Sequence, residues 1–441
     1  MIAHQSRLPE AGVRPLRNSK ATSKSDIKSE PKSALPDDGG NGRRDRSRQT
    51  SALAMQRQSR YIGDTTELEP MFFDLVPFDA NGESTTSAGR LRRKGDGPTF
   101  IELHDQGADE RGADLSVLAE LEAIVKPHGP ALVDLYFSVI HPSYPVVDEQ
   151  IFRQGYGHGY HAISPELLAG VYAVASQWWM EDARLAAFQR PNIELLEDMA
   201  LQLIGDALNR PRLSTVQAGL VIAQWPFGES RELMAQLVNI GYELGLHLDC
   251  SAWTMPAWEV SLRRRLAWAL YMQDKWSSLI YGRPSQISKV NWAVKPLTKD
   301  DFPCDAGTVE EDDESGELGK GWTVYIEMVA LTEILSEVLD TFYTLQARRE
   351  FEDAGGHATR VILDRAKPVQ IKLKDWFTRL SSLLKVEGSI SGKLSSTGMT
   401  FSEPFLVTVL IAGLRVTPSR VLCNRDHLAP LHPPIAKHQR R

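Results

Sequence analysis

Apolar side chains recur every third or fourth position through the middle of the chain, beginning near residue 112. In "DLSVLAELEAIVKPHG" (114–129), Leu115, Leu118, Leu121 and Val125 keep the period that gathers side chains on one face of an α-helix. Asp114 stands where an N-cap belongs, and Pro127 marks the stop. The same period returns in "ALVDLYFSVI", "SPELLAGVYAVASQWWMEDARLAAF", "NIELLEDMALQLIGDAL", "TVQAGLVIAQW", "SRELMAQLVNIGYELGL" and "AWEVSLRRRLAWALYMQDKWSSLIYG". Ser164-Pro165 and Pro191-Asn192 mark two helix starts, with Pro165 where a missing N–H costs nothing. Helical spacing resumes at 321–349 and again at 358–388. Strand-like alternation between turn dipeptides is absent, so the pattern predicts an all-α fold, a multi-helix bundle or array.

The flanks break this pattern. Residues 1–111 are rich in Ser, Gly, Pro, Lys and Arg and poor in aromatics, a composition that cannot bury enough apolar area to offset ordering entropy. They are expected to form a disordered basic region. The helical domain is expected over 112–390, interrupted by an acidic surface loop at 305–320 ("DAGTVEEDDESGELGK"). Residues 391–441 lose the period and are expected to be a poorly ordered tail, with a misread exon boundary as one explanation.

Charge and cysteine content narrow the classes. A net charge of −7 argues against a chain that coats nucleic acid, which needs a broad positive potential. Basic residues are nevertheless clustered, at Arg43, Arg44, Arg46 and Arg48 and at Arg90, Arg92, Arg93 and Lys94. Such clusters suit nuclear import or phosphate contact, and equally a solvated tail. Cys250, Cys304 and Cys423 are too few and too far apart for a disulfide framework or a Cys-rich metal site. The longest apolar run near the C-terminus, "FLVTVLIAGL" at 405–414, is too short to cross a bilayer, so no membrane partner is expected.

Enzyme motifs find little support. There is no G-x-x-x-x-G-K-[ST], H-E-x-x-H or G-x-S-x-G. "GYGHGYH" at 155–161 offers glycines with His158 and His161, but it follows no expected strand, and an interhelical loop is the plainer reading. His141 and His247 sit in apolar surroundings, where a satisfied core histidine outweighs a catalytic one.

The stretch 263–287, "RRRLAWALYMQDKWSSLIYGRPSQI", carries more information. Leu266, Ala269, Leu270 and Trp276 form an apolar stripe, which Arg263, Arg264 and Arg265 are expected to flank. Gly282 falls where a helix ends in a left-handed residue, and Pro284 blocks continuation. Arg283 offers a guanidinium fork for which Asp274 is a candidate partner. The residues singled out here, Arg264, Trp268, Asp274, Gly282, Arg283 and Pro284, read as a fixed structural junction rather than a catalytic set.

"SLRRRLAWALYMQDKWSSLIYGRPSQI" resembles the signature of the middle homology region of fungal zinc-cluster transcription factors. Two further segments agree in order, "LVDLYFSVIHPSYPVVDEQIF" (132–152) and "VNIGYELGLHLDCSAW" (238–253). The wording around "SVIHPSYPVVDEQ" and "GRPSQI" is similar to the nitrogen-catabolism coactivator subgroup. The resemblance implies an all-helical regulatory domain in a nuclear transcription regulator, working with other regulators and compatible with a homo- or heterodimer. In that family, DNA is read by a binuclear zinc cluster of six cysteines, whereas residues 1–249 here contain none. Zinc is therefore expected only if such a cluster lies upstream, and without it DNA is reached through partners. On this reading Leu132, Tyr136, Trp225, Trp268 and Trp276 are core or groove residues. The alternatives are a helical lyase or isomerase using His141 and His247, and a scaffold without an effector.

Overall fold

The computed structural model describes residues 59–63, 65, 75–86, 89–95, 97–102, 108–157, 163–209, 212–224, 230–302 and 317–380. From residue 108 onward these form α-helices joined by short turns: α1 (Ala108–Val125), α2 (Gly129–Leu135, continued by a π-turn over Tyr136–Ile140), α3 (Glu149–Gly157), α4 (Pro165–Ser176), α5 (Ile193–Ala207), α6 (Leu213–Ala223), α7 (Ser230–Glu243), α8 (Ala257–Tyr281), α9 (Glu317–Phe342), α10 (Leu345–Asp353) and α11 (Ala358–Arg379). Successive helices pack on one another, α4 against α5 and α6, α6 against α7, α7 against α8, α8 against α9, and α9 against α11. The all-α expectation holds for this body.

Its centre is α4, every residue of which is buried. A helix apolar on all sides belongs inside a layer of others, and α6 follows the same rule over Leu213–Val221. The caps are legible in sequence. Asn192 accepts a hydrogen bond from the Leu195 N–H at the start of α5, and Pro165 occupies the first turn of α4. Ser164 caps α4 by position alone, since its side chain makes no cap bond.

Several boundaries differ from the periodicity. Helix α1 begins at Ala108, six residues before Asp114, so Asp114 lies inside the helix. The expected helix over 321–349 is two, parted at Tyr343–Thr344, where the Thr344 hydroxyl accepts from the Ala347 N–H and starts α10. Helix α9 opens at Glu317, within the last residues of the expected acidic loop. Residues 303–316 and 381–441 lie outside the described residues. Pro368 sits inside α11 without ending it.

The larger departure precedes the helices. Within the stretch expected to be disordered and strand-free, four short strands form an antiparallel sheet of order β1-β4-β3-β2: β1 (Ser59–Tyr61), β2 (Glu83–Thr86), β3 (Gly89–Arg93) and β4 (Thr99–Glu102). The register pairs Tyr61 with Phe100, Leu91 with Ile101 and Thr86 with Gly89. Three to five residues per strand are too few to show a period. Two things compensate for the missing apolar content. Cross-strand pairs join Arg90 to Glu83 and Glu102, and Arg92 to Glu102. Leu91 and Ile62 form a small buried cluster with Val76, Phe78 and Ile101, and Phe100 packs against Cys250 and Trp253 of the helical body, so a distant segment supplies a second part of the sheet's apolar contacts.

One glycine fixes how α9 lies on the rest. A Cβ on Gly321 would stand 2.2 Å from the Pro142 carbonyl oxygen, so only a glycine lets the helix approach the "HPSYP" segment this closely.

Candidate functional site

Helix α8 ends as its sequence implies. Gly282 takes φ 65° and ψ 34°, the left-handed C′ conformation, and donates its N–H to the Ser278 carbonyl. The Arg283 N–H shares that acceptor at 3.1 Å. The chain then turns back on the helix, and Asp274 holds it there. One Asp274 carboxylate oxygen accepts the Gln286 N–H at 2.9 Å, and the other accepts the Ile287 N–H at 3.1 Å and the Ser285 hydroxyl. Lys275 donates its Nζ protons to Ser285 Oγ and the Ile287 carbonyl, 3.9 Å from the Asp274 carboxylate. Burial holds the Lys275 ammonium below its usual pKa, with Asp274 pulling the other way. "DK…GRPSQI" is therefore a clasp: acid and base on the last turns of α8 satisfy the backbone of the returning segment, and Ile287 is buried beneath it.

The expected Arg283–Asp274 pair does not form. Asp274 is filled by the returning backbone, whereas Arg283 is exposed with its guanidinium 5.3 Å from the Tyr281 ring centroid. Pro284 is likewise exposed.

Nor do the arginines merely flank the buried stripe. Arg265 is 1% exposed, donates to the Pro145 carbonyl at 3.0 Å and lies 3.9 Å from Asp148. Arg263 is buried between Glu259 at 2.9 Å and the Leu244 carbonyl at 3.0 Å. Arg264 reaches Asp301 at 2.8 Å and Ser251 at 2.7 Å. A sequence pattern cannot assign two of three consecutive arginines to a core, because their acceptors come from segments up to 120 positions away. The tryptophans do the same work. Trp268 donates to the Lys295 carbonyl at 2.8 Å, and Trp276 to the Thr332 hydroxyl at 2.9 Å. Leu132, Tyr136 and Trp268 are buried and Trp276 partly so; Trp225 lies outside the described residues.

The two histidines sit in separate aromatic surroundings. His141 is buried beside Phe137, and desolvation, with Arg265 and Arg153 nearby, pushes its imidazole down to about 3. His247 packs edge-on against Tyr61 and Tyr242, and burial lowers it too. In "GYGHGYH", residues 155–157 close helix α3 instead of forming a loop, and 158–162 lie outside the described residues. Among the described residues, no group of three or more His, Cys, Asp or Glu is placed to hold a metal ion. No helix among them is long and apolar enough to cross a membrane.

Of the basic clusters, Arg43, Arg44 and Arg46 lie outside the described residues. Arg90, Arg92, Arg93 and Lys94 are built into the sheet: Arg93 covers the Phe78 ring at 4.4 Å, and Lys94 lies 3.6 Å from Glu259 of α8. Burial and the nearby Arg263 push the Lys94 ammonium down to about 8. In this docked state the second cluster is part of the fold and not an extended basic peptide.

What the fold and its junctions define is a helical array whose signature residues tie distant segments together. Residues 133–407 match the fungal specific transcription factor domain, and the chain belongs to that family. It is 32% identical over 315 residues to the transcriptional activator protein DAL81 of Saccharomyces cerevisiae, covering 63% of this chain and 32% of that protein. An uncharacterized transcriptional regulatory protein of Schizosaccharomyces pombe is 26% identical over 268 residues, 59% of this chain and 37% of the relative. The acetamidase regulatory protein of Aspergillus fumigatus is 26% identical over 210 residues, 44% and 26% respectively. The chain spans about a third of the length of the curated relatives it matches. No solved structure matches it significantly.

Proposed function

We propose that this chain acts as a nuclear transcription regulator of the nitrogen-catabolism coactivator type, its helical body serving as a platform for other regulators. The observation that carries this reading is where the signature's polar atoms go. Asp274, Lys275, Arg263, Arg264, Arg265, Trp268 and Trp276 all hydrogen-bond to neighbouring segments of the same body, so the signature shapes a surface and presents no reacting group. The family match and the relatives named as activators and regulators agree with it. DNA contact by way of a zinc cluster joined to this body, or by way of a partner protein, leaves the body's role the same.

The test places the full chain, fused to a heterologous DNA-binding domain, at a reporter promoter in a fungal host, with a fluorescent tag to locate it. The expected result is nuclear accumulation and a reporter output that changes with nitrogen source. A chain that stays out of the nucleus and leaves the reporter unchanged under every nitrogen source refutes the reading.

A further inference from the structure

Helix α11 carries two apolar faces. The first, Ile362, Val369, Leu373 and Trp376, is buried, chiefly against α9. The second points to solvent: Leu363 is 55% exposed, Ile371 51% and Phe377 45%. At 100° per residue, Leu363, Lys367, Gln370, Ile371, Lys374 and Phe377 fall on one continuous strip beside the buried face. The acids of the helix, Asp364 and Asp375, lie beyond its far edge. Lys367 and Lys374 are exposed and form no ion pair among the described residues, unlike Lys372 and Arg365, which are held by Glu337 and Glu350. On its other side the strip borders a narrow apolar crevice of about 30 Å³ between α8, α9 and α11, lined by Leu279, Ile334, Val338, Phe342, Ala366 and Gln370.

An exposed strip alternating large apolar side chains with exposed lysines has a definite complement. It fits an amphipathic helix whose apolar residues recur every three or four positions and whose flanks carry Asp and Glu. We infer that this strip forms the docking surface for an acidic amphipathic helix of another transcription regulator. The inference rests on the regulator reading above and names the surface and partner chemistry through which it operates. A membrane-surface role is disfavoured by the single-helix width of the strip and the acids bordering it.

The experiment uses the full chain with a photo-crosslinking phenylalanine analogue at position 371, expressed in a fungal host, with crosslinked peptides sequenced by mass spectrometry. The expected product is a peptide of a second protein with net negative charge and apolar residues at helical spacing. The K367E/K374E double substitution should lower its yield about tenfold, the combined effect of reversing two exposed charges, with thermal unfolding unchanged. Four outcomes overturn the inference: equal yield from the charge-reversed chain, crosslinks to a second copy of this chain, crosslinks to its own acidic residues 310–314, or no more product than from an exposed control position, Asp353. The reporter assay runs on the same strains, so a reporter output that still changes with nitrogen source alongside a failed crosslink refutes the surface and leaves the regulator reading standing.

Discussion

Replacing Asp274 with alanine should unfold the junction at the end of α8 first. The carboxylate satisfies the N–H groups of Gln286 and Ile287 and the Ser285 hydroxyl, and it is the acid nearest a lysine that is 1% exposed. A buried donor left without its acceptor costs about 1–3 kcal/mol, and a buried ion left without its partner about 3–5 kcal/mol. These losses overlap, because Ser285 and Ile287 still contact Lys275, so the sum overstates them. A net loss of about 4 kcal/mol follows, and roughly half of that for Asp274→Asn, which keeps one acceptor oxygen. Urea unfolding of the full chain, followed by tryptophan fluorescence, should show the midpoint of D274A shifted down by about 1–2 M, using an m-value of a few kcal/mol/M. Combined with Lys275→Met, the unpaired ammonium is gone. The double variant should therefore lose at least about 1 kcal/mol less than the two singles added. A midpoint shift under about 0.3 M for D274A, or strict additivity in the double variant, would refute the clasp as the element that fixes this junction.

Four further outcomes test other parts of the fold. Gly321→Ala places a methyl group against the Pro142 carbonyl and should cost more than about 2 kcal/mol, whereas Gly282→Ala meets open space and should cost about 1 kcal/mol from its left-handed backbone alone; thermal unfolding ranks the two. Burial lowers the Lys94 pKa in the folded chain, so the unfolded chain binds the extra proton between about pH 8 and the ordinary lysine range near 10.5. Wild type should therefore gain stability over Lys94→Met as pH rises through that window, by up to about 3 kcal/mol, read from denaturation at several pH values. His141 is also depressed when folded, to about 3, so stability falls as pH drops from 6.5 toward that value. His141→Gln should remove that loss, about 2 kcal/mol at pH 5, and show a flatter acid limb in thermal melts. Phe100→Ala should loosen the sheet and raise amide exchange over 59–102 while α4 stays protected, since Phe100 packs the sheet on Trp253 and Cys250.

Local chemistry wrote several features into the text. The 3.6-residue period predicted the helical body, Pro165 and Asn192 marked helix starts, and Gly282 with Pro284 marked the end of α8. Each depends on residues within a few positions of one another, and short-range backbone chemistry is what a sequence displays directly. The sheet was hidden because its strands are short and part of its apolar packing comes from Trp253, some 150 positions after Phe100.

The same distinction holds at the signature helix. That Asp274 and Gly282 matter was readable from an acid and a chain stop in one helix. That Asp274 serves Gln286 and Ile287 and not Arg283 was not, because backbone donors look alike in every sequence. Sequence alone determined that this protein is a helical array with a terminated, tryptophan-bearing rod. Only the tertiary structure decided that Arg263 and Arg265 belong in its core, that the basic run at 90–94 is folded against α8, and that α11 turns a second apolar face outward. Burial of a charge is permitted or forbidden by acceptors that arrive from elsewhere in the chain, and their arrival is a property of packing.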